Sequence, residues 1–194
     1  MSQANVDKES ALIVVDVQND FTPGGALPVK DGEKVIEPLN KYVGIFQRIG
    51  VPIIFTRDWH PKNHISFAER GGPWPPHCVQ NANGAEFHKD LRIPEGAIVI
   101  SKATDPDEEG YSGFQGTELG SILRRKGITK LFVGGLATDY CVKSTILDAL
   151  KEGFRVYFLS DASMAVNVRP GDSERAVEEM VRNGAKSIRI RDIS

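Results

Sequence analysis

Short runs of Val, Ile, Leu and Phe punctuate the chain at 11–17 (ALIVVDV), 51–57 (VPIIFTR), 97–102 (AIVISK), 130–136 (KLFVGGL), 155–161 (RVYFLSD) and 187–192 (SIRIRD). Most are nearly continuous rather than alternating, the pattern of strands covered on both faces. Helical periodicity fills the intervals near 33–49, 116–126, 139–152 and 172–183. The first interval places Val35, Ile36, Leu39, Tyr42, Val43 and Phe46 on one side. The last opens at GDSE and closes at NG, the start and stop signals of a helix. Repeated strand–helix–strand units predict an α/β fold, a parallel sheet with right-handed crossovers and helices on both faces. One stretch, about 59–96, carries no clear element and is rich in Pro, Gly, Asn and His. A segment of that length inside a compact domain is usually functional or a folded excursion.

Composition narrows the function classes. At 194 residues and 21.3 kDa the chain fits a single domain, 1–194. A net charge of −2 gives no electrostatic reason to expect nucleic acid or an acidic membrane as partner. The polar start MSQANVDKES lacks an apolar h-region, and no apolar run is long enough to cross a bilayer. A reduced, cytoplasmic protein is expected, with both cysteines read as thiols.

In an open parallel sheet, ligands bind beyond the carboxyl ends of the strands. Four chemically able residues fall there: Asp16 after LIVV, Asp58 after strand two, Lys102 after IVIS, and Cys141 after GGLATDY. Each alone has a bland alternative as a cap, a solvated terminus or core filler; four at one edge suggest a site. Thr138 or Asp139 is a candidate N-cap, which places Cys141 in the first helical turn. There the helix terminus and a nearby lysine favour thiolate. Free N–H groups of that turn could hold an oxyanion, and Asp16 could move the thiol proton. A second constellation joins RDWHPKNHISF to GGPWPPHCVQ. Asp58, His60 and His77 offer one oxygen and two nitrogens, a set that leaves coordination positions open for water or substrate. His64 is a fourth candidate. The alternative is that these histidines only brace a Pro/Gly loop. Cys78, beside His77, is read as packing. Phe21, Trp74 and Tyr111 are candidate walls of a small flat pocket.

The motifs DVQNDFTPGGALPV, TRDWHPKNHISF, WPPHC, KATDPDEEGYSGF and GLATDYCV occur in order over about 11–170. Together they resemble the nicotinamidase/pyrazinamidase family of the isochorismatase-like hydrolases. The resemblance implies a Rossmann-like, three-layer α/β/α domain with a six-stranded parallel sheet and a metal-binding loop region at about 58–90. It also implies Asp16, Lys102 and Cys141 as catalytic residues and Asp58, His60 and His77 as ligands of one divalent ion, zinc, iron or manganese. No organic cofactor is expected. Ala137 and Cys141 would lend backbone N–H groups to an oxyanion hole, with a cis peptide joining Leu136 to Ala137. Phe21, Trp74, Tyr111, Leu136 and Ala137 would contact the substrate. The implied reaction is hydrolysis of nicotinamide, or pyrazinamide, through a cysteine thioester in NAD salvage, with Lys102 depressing the pKa of Asp16 and Cys141. A homo-oligomer is left open.

Two alternatives stand beside this reading. One is another cysteine amidohydrolase of the superfamily, acting on a carbamoyl or ureido substrate. The other is a non-catalytic metal-binding protein. A tyrosine-phosphatase-like site is excluded, because the position six residues after each cysteine holds Leu147 or Gly84 rather than Arg. A dinucleotide-binding module is excluded because VQNDFT, not a glycine-rich turn, follows strand one.

Overall fold

The computed structural model describes residues 4–194. Six strands, β1 (Ser10–Val15), β2 (Ile53–Asp58), β3 (Ile98–Lys102), β4 (Lys130–Leu136), β5 (Arg155–Met164) and β6 (Lys186–Ile188), pair in the order β3-β2-β1-β4-β5-β6. Every pairing is parallel. The chain builds outward from β1 in one direction, returns to lay β4 on its other side, and builds outward again. The boundary between β1 and β4 is therefore the topological switch point, where the carboxyl ends of the strands open a crevice.

Four helices cover the sheet: α1 (Ile36–Ile49), α2 (Leu119–Arg125), α3 (Lys143–Lys151) and α4 (Asp172–Arg182). The covering is uneven. Leu39, Tyr42, Val43 and Phe46 of α1 pack with Leu12, Val14 and Phe132 on one face. Leu119, Leu123, Ile146 and Met180, from α2, α3 and α4, pack with Ile13, Val15, Leu131 and Val133 on the other. Successive β1 residues thus feed opposite cores, as the period of a strand requires. The apolar face of α1 explains its length, and Gly50 ends it in the left-handed conformation, its N–H returning to Phe46 and Gln47. Among the described residues no helix is long and apolar enough to cross a membrane.

Several boundaries differ from the sequence expectation by two to four residues, and two have a clear cause. The last strand, expected over 187–192, ends at Ile188 and gives way to a 3-10 turn at Ile190–Asp192. Asp192 accepts the Arg189 N–H at 2.9 Å and Asp161 accepts the Ile190 N–H at 2.9 Å. These side chains satisfy the amides that would have continued the ladder. The second difference concerns β5, which runs three residues past its expected end, to Met164, after a shift in its register with β4 between Val133 and Gly135. Gly135 has φ +127°, and a Cβ there would lie 2.1 Å from Val15 O, so only glycine lets β4 pass this close to β1.

The 59–96 stretch is a folded excursion. Short 3-10 turns at Ala68–Arg70 and Asn83–Ala85, and isolated bridges pairing His60 with Val79 and Phe67 with Trp74, hold it. Phe67, Cys78, Ala85 and Leu91 are buried within it.

Candidate active site

The four strand-end residues meet on one ammonium. Asp58 and Lys102 are register partners as the last residues of β2 and β3. Asp16 stands one residue past β1 with φ +49°, a turn that swings its carboxylate out of the strand direction. Cys141 lies in the π-helical turn Thr138–Val142 that leads from β4 into α3. The Lys102 Nζ sits 2.9 Å from Asp16 Oδ2, 2.5 Å from Asp58 Oδ1, 3.3 Å from Cys141 Sγ and 3.0 Å from the Gly110 carbonyl. Asp16, Asp58, Lys102 and Cys141 are all buried. An ammonium has three hydrogens for these four partners. Asp58, Gly110 and Cys141 are aligned to receive them, and Asp16 Oδ2 is left buried without a hydrogen bond. The other oxygen, Asp16 Oδ1, accepts the Thr56 hydroxyl at 2.6 Å. The free lone pair therefore belongs to the oxygen that faces the ammonium, which the Cys141 sulfur also touches.

Burial dominates the proton affinities. It pushes Asp16 upward against the pull of Lys102. It also pushes the Cys141 thiol well up, again against Lys102. The expectation that helix terminus and lysine together lower the thiol is corrected in its net direction, because a neutral thiol suits a dry site better than an anion. Burial alone would raise Asp58 too, but Lys102, and after it His60, hold it far below the usual carboxylate range. Lys102 stays charged despite burial because Asp16, Asp58 and Cys141 surround it. The Lys102–Asp58 ion pair thus stands beside a carboxyl and a thiol whose proton affinities burial raises.

The N-cap expectation is also corrected. Ala137 occupies the cap position and no side chain caps the turn. Thr138 Oγ1 pairs with Ser163 Oγ at 2.7 Å, and Asp139 accepts the N–H groups of Val166 and Asn167 at 2.9 and 2.8 Å. Both side chains are drawn to the β5 exit instead. The Leu136–Ala137 peptide is cis.

Asp58, His60 and His77 offer ligand atoms within 4.8 Å of one another, all buried. Both ring nitrogens of His60 are buried without a hydrogen-bond partner. His77 donates its Nδ1 proton to the Pro75 carbonyl at 2.8 Å, which fixes the ring and leaves Nε2 as the lone-pair nitrogen. Two imidazoles and a carboxylate with orphaned donors fit a divalent cation of borderline softness. Asp16, Asp58 and Cys141 are equally close together, but the Lys102 ammonium among them repels a cation. His64 stands with its ring centroid 4.2 Å from that of His60, yet is fully engaged. Its Nδ1 accepts from Ser66, and its Nε2–H donates to the Glu108 carbonyl at 3.0 Å. It braces the loop and has no nitrogen to give.

A small cavity touches both centres. Cys141, Ala137, Asp58 and His77 line it together with Phe21, Trp74 and Tyr111. Trp74 donates its indole N–H to Tyr111 Oη at 2.9 Å, fixing two of these rings. Leu136 lies in the core, off the cavity wall.

The Isochorismatase domain family matches residues 10–192 of the chain. The chain belongs to the isochorismatase family. The nicotinamidase of Escherichia coli is 40% identical to it, over 94% of this chain and 95% of that protein. Among solved structures, the pyrazinamidase of Pyrococcus horikoshii in complex with zinc has a TM-score of 0.90 and 56% identity, covering 94% of this chain and 99% of that one. The L. infantum PnC1 in complex with nicotinate has a TM-score of 0.91 and 34% identity, covering 99% of this chain and 98% of that one. The six-stranded parallel sheet between helical layers is thus the isochorismatase-like fold expected from the motifs.

Within this isochorismatase-family site, four lining residues escaped the sequence reading: Leu27, Val29, Tyr140 and Val166. Tyr140 packs edge-on against Trp74, with centroids 5.1 Å apart. Its place beside Cys141 was a usable signal. Leu27 and Val29 alternate in the GGALPV segment after strand one, and Val166 follows β5, a fifth strand end. Cys78 is buried, and burial pushes its thiol well up. Its N–H is held by Asp20 at 2.7 Å, in keeping with a packing role.

Proposed function

We propose that the chain is a nicotinamidase, also active on pyrazinamide, which hydrolyses the carboxamide to the acid and ammonia in cytoplasmic NAD salvage. The observation that carries the reading is the cavity itself. It is lined by the aromatic rings of Phe21, Trp74, Tyr111 and Tyr140, and Cys141, Asp58 and His77 all open onto it. A flat ring bearing one carboxamide fits an aromatic lining with a thiol in reach, and the relatives named above handle such compounds. The chain acts as one hydrolase domain over 1–194, with residues 58–90 as the metal-binding loop region. Phe21, Trp74, Tyr111 and Ala137 are the proposed substrate-contacting residues, while Leu136 packs in the core behind them.

Asp16 Oδ2 takes the proton of Cys141 as the sulfur attacks the carboxamide carbon. Backbone N–H groups at Ala137 and Cys141 hold the resulting oxyanion, each such donor being worth about 10²–10³ in rate. Asp16 returns the proton to the amine as the C–N bond breaks, releasing ammonia and leaving a thioester. A water then gives a proton to Asp16 and adds to the acyl carbon. Rupture of the C–S bond frees the acid, and the thiolate recovers its proton. Lys102 offsets the negative charge that passes between sulfur and carboxylate. Asp58, His60 and His77 would hold a zinc, iron or manganese ion, which when bound would supply Lewis acidity beside the cavity.

Ammonia release from nicotinamide, measured on metal-loaded and chelator-stripped protein, tests this. Release that falls on stripping and returns with added divalent metal is expected. Turnover of carbamoyl or ureido compounds but not nicotinamide would reassign the substrate.

A further inference from the structure

The exit of β1 leaves a gap in the sheet that a side chain fills. β1 and β2 keep parallel register as far as Val15 opposite Thr56. One rung further, the Asp16 N–H still reaches the Thr56 carbonyl at 3.1 Å. A continuing parallel ladder would next have the Asp58 N–H donate to the Asp16 carbonyl. It does not. Asp16 turns to φ +49°, and its carbonyl accepts the Gln18 N–H at 2.9 Å instead. The Gln18 carboxamide takes over the missing rung. Its Oε1 accepts the Asp58 N–H at 2.8 Å, and its Nε2 donates to the Asp58 carbonyl at 2.8 Å and to the Ala85 carbonyl at 2.9 Å. The side chain is wholly buried, and both amide protons are used.

We infer that Gln18 is a positioning residue whose carboxamide stands in for a peptide unit of β1, fixing Asp58 while releasing Asp16 to turn toward Lys102. One side chain then sets both carboxylates about the ammonium and aims Asp58 at His60 and His77. Through Ala85 it also ties the 59–96 excursion to the strand end that carries the first ligand. Loss of the carboxamide frees the β2 terminus to move, so the ligand geometry and the base geometry loosen together. The inference rests on the proposed roles of Asp58 as ligand and Asp16 as base.

Gln18→Met keeps the length of the side chain and removes all three hydrogen bonds. Gln18→Glu keeps its shape and the acceptor facing the Asp58 N–H, but sets an oxygen against two carbonyls. Metal-stripped wild type and both variants are titrated with Zn²⁺ against a chromogenic chelator, and the loaded forms are assayed for kcat and KM. Zinc binding weaker by about 10–100-fold is expected, with a fall in kcat larger than any rise in KM. A merely structural glutamine would lower the melting temperature and leave zinc affinity and kcat at wild-type values, which overturns the inference. If Gln18→Met does not fold, Gln18→Glu decides. If neither folds, the residue serves the domain rather than the site, and the inference is likewise overturned. A wild type that binds no zinc would bring down the proposed metal site and this inference together, whereas tight wild-type binding with unchanged variants overturns this inference alone.

Discussion

The strand-end cluster and the loop histidines lie side by side yet are built on opposite terms. Around Lys102, charged groups find their partners within the chain: one ammonium faces two carboxylates and a thiol, each within 3.3 Å. Around His60, the chain leaves two buried ring nitrogens without a hydrogen bond, the Asp58 carboxylate standing 3.6 Å from Nε2. A buried polar group without a partner costs about 1–3 kcal/mol. In the first region Asp16 Oδ2 also lacks a hydrogen bond, but it lies 2.9 Å from the ammonium that answers its charge, whereas the second is shaped for something the chain does not supply. His64 sharpens the contrast. It is as deeply placed as His60, but its nitrogens are matched to Ser66 and Glu108.

Asp58 belongs to both regions, and substitutions there and at its neighbours separate them. The largest effect is expected for Asp58→Ala. It removes a metal ligand and leaves Lys102 paired to Asp16 alone, which weakens Asp16 as a base. Metal content should fall, and ammonia release should stay low even in saturating metal. His60→Ala should lose metal equally but spare the ammonium cluster, so high metal should restore part of the rate. If the two variants respond alike to added metal, Asp58 does not bridge the regions. The smallest effect is expected for His64→Gln. Metal stoichiometry should stay at the wild-type value, while stability falls by about 1–3 kcal/mol as the Ser66 and Glu108 contacts are lost. Metal loss in that variant would place His64 among the ligands.

The sheet was legible because strands buried on both faces must be apolar throughout, so a charged residue that ends such a run stands out. Asp16, Asp58 and Lys102 were found that way, and Cys141 by its place in the turn after β4. What the pattern could not show were contacts made across distant parts of the chain. Gln18 reaches Asp58 across 40 residues, Thr56 reaches Asp16 across the same span, and Asp139 reaches Val166 across 27. Each looks locally like a loop, strand or cap residue. The end of β6 was misread for the same reason, since Asp161 takes the Ile190 N–H from 29 residues away. The net direction of the Cys141 shift was also out of reach. Charge neighbours can be read along a sequence, whereas burial depends on the whole fold.

The central claim is that Cys141 carries the acyl group. Its most direct test is ammonia release from nicotinamide by metal-loaded Cys141→Ala protein whose fold and metal content match the wild type. The account expects no release above background. Retained turnover with the thiol gone would contradict it.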